Sequence, residues 1–195
     1  MGLLNILSHI YDEEILAKLT FLKGIKLFDG IKKRQLIHVL ESLQERTYLK
    51  GETLFAQGDI GRALFIVFSG KIALSRLDPV TQKSSVIAQV HPGEFFGEMA
   101  LLEEMPRTAT AHATEDTKVF MLFKIKLESL LFARPAIGVV IAAQLAKILS
   151  ARLRAIIEKP LEPVQPAGVT VPPPVFVSPS RRNSMAALSA VRVPS

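Results

Sequence analysis

The chain has 195 residues, 49% of them hydrophobic and 22% charged, with a formal net charge of +6 and neither Cys nor Trp. That length holds one domain with appendages, and the apolar share supports a packed core, which excludes disorder throughout. Without Cys there is no disulfide scaffold, thiolate metal site or cysteine nucleophile, and the composition fits a reducing, cytoplasmic setting. No continuous run approaches the roughly 18 apolar residues of a membrane span. The best candidate, residues 136–143, follows Arg134-Pro135 and has Lys147 beyond it. No cationic start with a cleavage site opens the chain, so secretion is not expected.

Two apolar stripes at helical spacing come first: Leu3, Ile6, Leu7 and Ile10, then Ile15, Leu16 and Leu19. Asp12, Glu13 and Glu14 suit the start of the second helix. Leu36, Leu40 and Leu43 predict another helix over roughly residues 31–45. From 46 to 123 the pattern changes to short apolar or alternating runs, at 64–68, 71–76, 86–90, 109–114 and 119–123. Gly51, Gly58, Gly61, Gly70, Gly93 and Gly97 stand at or beside the joints. This spacing predicts a small antiparallel β-sandwich or barrel. Ala109, Ala111 and Ala113 line one strand face with methyl groups only, leaving room for something bulky. Helical spacing returns at Leu127, Leu130 and Leu131. A long helix follows from Pro135 to near Lys159, with Ile137, Val140, Ile141, Leu145, Ile148, Leu149 and Leu153 on its apolar face. Eight of the twelve Pro lie at or beyond Pro160. Pro fixes φ and removes a donor, so residues 159–195 read as a disordered tail. The expected organisation is a helical extension over 1–24, a domain over 25–158 and the tail.

The chemistry concentrates in residues 93–113. Phe95-Phe96-Gly97 ends an extended segment, and 98–102 can form one helical turn. The N–H groups at the start of that turn lack intrahelical partners and favour an anion. Gly97 lets a ligand approach the backbone closely. Pro106 rigidifies the return, and Arg107 supplies a fork of donors suited to a phosphate. Glu98 would repel a phosphate, but as an acceptor it suits a sugar hydroxyl. Phosphate, sugar and an apolar plane together describe a nucleotide.

Phe96-Gly97-Glu98-x-Ala100-Leu101 followed by Pro106-Arg107-Thr108-Ala109-Thr110 resembles the phosphate-binding cassette of cyclic nucleotide-binding domains. These occur in catabolite activators, kinase A regulatory subunits and cyclic nucleotide-gated channels. Lys50-Gly51-Glu52, Gln57-Gly58-Asp59 and Ser69-Gly70-Lys71 resemble the family's early β-roll, and Ala113-x-Glu115-Asp116 its later strand. The resemblance covers about residues 25–158. It implies a mainly β fold, a jelly-roll-like β-roll with N-terminal helices and a C-terminal lid helix over 135–158. It implies cAMP or cGMP as ligand, no cofactor and no metal. It also implies that Phe96, Gly97, Glu98, Met99, Ala100, Arg107, Thr108 and Ala109 contact that ligand. Glu98 would take the ribose 2′-hydroxyl and Arg107 the cyclic phosphate. N–H groups near Gly97 and Ala100 would assist, Thr108 would reach phosphate or guanine, and Ala109 would leave space for the base.

Counted from Arg107, Arg152 and Leu153 stand where catabolite activators offer Thr-Ser to adenine, and Arg152 can stack on either purine. Lys159-Pro160 begins the Pro-rich run where those proteins begin a helix-turn-helix, so no nucleic-acid partner is expected. Residues 160–195 hold +2 of the net +6, and no basic stripe stands out. His91 and His112 are isolated and are not expected to bind metal. Glu103-Glu104 reads as a solvated turn. No P-loop, nucleophile elbow or zinc-protease helix is present, so an enzyme is not expected. The expectation is a non-catalytic sensor acting on an effector protein, and the apolar stripe of the lid also permits a homodimer seam. The rival readings are a β-roll scaffold with a vestigial ligand site and, more remotely, a transcription-regulator-like protein. Arg181-Arg182-Asn183-Ser184 resembles a basophilic kinase site, which makes Ser184 a candidate phosphosite.

Overall fold

The computed structural model describes residues 12–158. The stripe at 3–10 and the Pro-rich run with Ser184 lie outside the described residues. Helix α1 (Glu13–Lys23) begins where the sequence places its acidic start. The Asp12 carboxylate accepts from the Glu14 N–H at 3.3 Å, and Glu13 and Glu14 occupy the positive end of the helix. Leu19 and Leu22 are buried with Leu64, Phe120 and Ile141, so α1 shares the core of the domain and no structural break falls at residue 24.

Eight strands follow: β1 (Leu43–Tyr48), β2 (Thr53–Phe55), β3 (Ala63–Ser69), β4 (Ile72–Leu77), β5 (Ser84–Val90), β6 (Phe95–Phe96), β7 (Thr110–Ala113) and β8 (Thr117–Phe123). They form two antiparallel four-stranded sheets, ordered β1-β8-β3-β6 and β2-β7-β4-β5. This is the expected β-roll. Strand β3 reads as a continuous apolar run because both of its faces are covered. Leu64 and Ile66 join the helices in one buried cluster, while Phe65 and Val67 join the other, which holds Ala111 and Ala113 of β7. Strand β8 divides the same way, Phe120 and Leu122 against Val119 and Met121.

The helix predicted over 31–45 is shorter. A 3-10 turn at Lys33–Gln35 leads into α2 (Leu36–Ser42), and Leu43 already pairs with Leu122 as the first residue of β1. Leu43 keeps helical spacing from Leu36 and Leu40, but tertiary pairing overrides that signal. β1 is an edge strand with an exposed middle, so no alternation of apolar residues announces it. The methyl-lined face also differs from expectation. Ala111 and Ala113 are buried beside Tyr48, Phe65, Phe96 and Met121, so the chain's own aromatic side chains share that space.

After β8, α3 (Lys124–Ala133) and α4 (Pro135–Ile157) form a helical pair. Pro135 sits in the first turn of α4, where its missing N–H costs nothing. A Cβ on Gly138 would lie 2.6 Å from the backbone of Leu131, so only glycine allows this close crossing. Contrary to the reading from continuous runs, α4 is long and apolar enough by composition to cross a membrane. Its most apolar 18-residue window has mean hydropathy 1.6, yet only 22% of that window is buried. Ile137, Ile141 and Leu145 pack into the core. A second row, Ala136, Val139, Ala143, Ala146, Ser150, Leu153 and Ile157, is exposed.

Candidate functional site

Loop geometry fixes the cassette. Gly97 ends β6 in the left-handed region, at φ 71°, and the chain then makes a 3-10 turn over Glu98–Leu101. The N–H of Ala100 donates to the Gly97 carbonyl at 3.2 Å. That amide is therefore already spent, where the sequence reading held it free for a ligand. The return strand is laced to residues 58–61. The Arg107 N–H donates to the Asp59 carbonyl at 2.7 Å, Gly58 donates to the Arg107 carbonyl at 2.9 Å, and Gly61 donates to Met105 at 3.1 Å. These bonds hold Arg107 from its backbone.

The Arg107 side chain is also oriented. Nη2 donates to the Ala63 carbonyl at 2.7 Å and Nη1 to the Gly97 carbonyl at 3.2 Å. Its Cζ lies 4.1 Å from the Phe55 ring centroid and 5.5 Å from that of Phe65. Phe55, Phe65 and Phe96 form one aromatic group, with centroids 5.3 to 6.0 Å apart. Cβ atoms on Gly61 or Gly97 would crowd the guanidinium, at 3.1 and 2.5 Å. Burial pushes the Arg107 pKa down, while the charges of Asp59 and Glu98 push it back up; an arginine stays protonated throughout. Among the described residues no carboxylate forms an ion pair with it. Two of its five N–H groups serve backbone carbonyls, and the others remain for an anion.

Glu98 is only 7% exposed, and Thr117 is the other buried polar residue of the described chain. Its Oε1 accepts from Nη1 of Arg152 on α4. Arg152, which counting puts where it can stack on a purine, joins Glu98 through its guanidinium, with Cζ 5.6 Å from the Phe95 ring.

One cavity of about 320 Å³ is lined by all nine residues singled out from the sequence: Phe96, Gly97, Glu98, Met99, Ala100, Arg107, Thr108, Ala109 and Arg152. Sequence reasoning missed Phe55, Leu74 and Ile87, which come from β2, β4 and β5, and Met105; Pro106, read from the sequence only as a rigid turn residue, also lines the cavity. Strands from the second sheet carry no local motif, so only the fold reveals them. Glu103 also lines the cavity, whereas Glu104 reaches Lys124 at 3.8 Å and Arg62 at 4.0 Å. His112 pairs across the sheet with Ala73 and Thr53. Among the described residues no cluster of metal-ligating side chains occurs.

The cavity thus offers a cation with unspent donors, a buried carboxylate and an apolar wall. Comparison with known proteins gives the same picture. The family model described as "Cyclic nucleotide-binding domain" matches residues 45–134. The chain is 40% identical over 133 residues to the Cyclic AMP receptor protein of Thermus thermophilus, across 68% of this chain and 59% of that protein. The crystal structure of the Thermus thermophilus catabolite activator protein superposes with TM-score 0.62 at 38% identity, over 68% of this chain and 60% of that one. The N-terminal domain of a transcriptional regulator from Streptomyces coelicolor superposes with TM-score 0.63 at 32% identity, over 70% of this chain and 94% of that one. The chain spans about three fifths of the length of the curated receptor it matches. With its β-roll and cassette, the chain belongs to the cyclic nucleotide-binding domain family.

Proposed function

We propose that the chain binds one cyclic purine nucleotide, cAMP in preference to cGMP, and acts as a sensor rather than a catalyst. The observation that carries this reading is the state of Arg107. Backbone carbonyls and an aromatic face hold its guanidinium, two of its five N–H groups are used, and the residue lines the cavity. A charge placed this way, with no carboxylate partner among the described residues, is suited to a ligand anion. The cyclic phosphate takes those donors as charge-assisted hydrogen bonds. The ribose 2′-hydroxyl donates to Glu98. The purine lies among Leu74, Ile87 and Met99, under the end of α4. The preference for cAMP is supported by a 40% identical relative named as a cyclic AMP receptor.

Ligand binding would favour one position of α4 over another, and the difference in exposed surface would reach an effector protein. A second copy of the chain fits the exposed row of α4. Residues 136, 139, 143, 146, 150, 153 and 157 alternate in steps of three and four, the spacing of a two-helix seam. Titration calorimetry with cAMP, cGMP and cyclic di-GMP tests the ligand reading, which fails if none binds below about 1 mM.

A further inference from the structure

We infer that Arg152 is a positioning residue for ribose recognition: it sets the Glu98 carboxylate and ties ribose occupancy to the end of α4. This rests on the nucleotide reading above and extends it. Glu98 is a buried anion, and a buried charge is stable only when paired and hydrogen-bonded. Its partner comes from 54 residues away on α4, not from the cassette. The pair engages Oε1, so Oε2 keeps its acceptor capacity for a hydroxyl.

The same pair anchors the helix end. The buried residues of α4, Ile137, Gly138, Ile141 and Leu145, all lie in its first half. Every residue from 150 to 158 is exposed. Among the described residues, Arg152–Glu98 is the side-chain hydrogen bond that joins the last two turns of α4 to the β-roll. A hydroxyl arriving at Glu98 therefore meets the group that holds the helix end.

The test compares cAMP with 2′-deoxy-cAMP on the full-length protein, by calorimetry, for wild type, Arg152→Ala, Arg152→Lys and Glu98→Gln. Arg152 is about half exposed and alanine favours helix, so the variant is expected to fold, checked by thermal denaturation without ligand. Wild type should prefer cAMP by about tenfold or more, the size of one hydrogen bond to a charged group. Arg152→Ala should weaken cAMP by a similar factor and leave 2′-deoxy-cAMP within about twofold, collapsing the ratio. Arg152→Lys should restore part of it, and Arg152→Ala should add nothing in the Glu98→Gln background. Equal losses for both nucleotides, or no loss for either, would overturn the inference and leave the nucleotide reading standing. Tighter binding of cAMP alone would also overturn it, marking the pair as a competitor of ribose. Failure of wild type to bind either nucleotide would instead remove the nucleotide reading, and this inference with it.

Discussion

Nη2 of Arg107 donates to the Ala63 carbonyl at 2.7 Å, so the residue that faces the cavity is also bonded to the first residue of β3. Its replacement is therefore expected to act twice. Arg107→Ala should lose nucleotide binding and also lower stability without ligand by about 1–3 kcal/mol, since the Ala63 and Gly97 carbonyls lose a charged donor. Arg107→Lys keeps the charge but not the planar fork, and should fall between wild type and Arg107→Ala in both properties. Chemical denaturation beside calorimetry checks this. Unchanged stability in Arg107→Ala would show that those backbone bonds contribute little.

Thr117 offers a test of the fold away from the cavity. It is fully buried, accepts from the Lys71 N–H at 3.0 Å, and lies 2.7 Å from the Glu115 carbonyl. Thr117→Val keeps the shape but strands the Lys71 donor, and should cost about 1–3 kcal/mol. Gly70→Ala should be at least as damaging. Its φ is 85°, and a Cβ there would lie 2.4 Å from the Thr117 hydroxyl. In both variants nucleotide affinity should be unchanged once the protein is folded, measured at a temperature well below the transition.

The pH dependence centres on Glu45. Burial raises its pKa, but hydrogen bonds and charge from Lys18 and Lys118 outweigh burial and hold it below the ordinary carboxylate value. Its contribution is thus present above that ordinary value and is lost as pH falls through the lower folded value. Lys18 is raised by its hydrogen bonds to Glu14 and Glu45, against the effect of burial. Its contribution is present below the ordinary lysine value and lost as pH rises through the higher folded one. Glu45→Gln should flatten the acid limb of a melting-temperature profile and also reduce the alkaline limb. A profile identical to wild type would dissociate this cluster from stability.

The exposed row of α4 is expected to hold a homodimer. Leu153→Glu places like charges opposite one another in such a seam, and should convert dimer to monomer in sedimentation velocity. Leu153 is 58% exposed, so the folded monomer should lose little stability from its own packing. A wild-type protein that sediments as a monomer with and without cAMP would contradict the seam.

The cassette was legible because its signals are local. Gly97, Glu98 and Arg107 lie within eleven consecutive residues, and turn geometry, charge and proline restrict what they can do. An antiparallel β body was legible from short apolar runs between glycines, and its β-roll form from the resemblance of the cassette. What escaped had its cause elsewhere in the chain. β1 is an edge strand whose identity comes from pairing with β8, so its sequence continued the helical spacing before it. Leu74 and Ile87 reach the cavity only because β4 and β5 pair in the second sheet. Counting placed Arg152 in the helix over the site, but no spacing rule links it to Glu98 across 54 residues.

The central claim is that this cavity takes a cyclic nucleotide, and calorimetric titration of the full-length protein with cAMP tests it most directly. Saturable binding of one cAMP per chain is expected at a dissociation constant of about 10 μM or below, abolished in Arg107→Glu. No saturable heat from wild type up to about 1 mM cAMP or cGMP would contradict it.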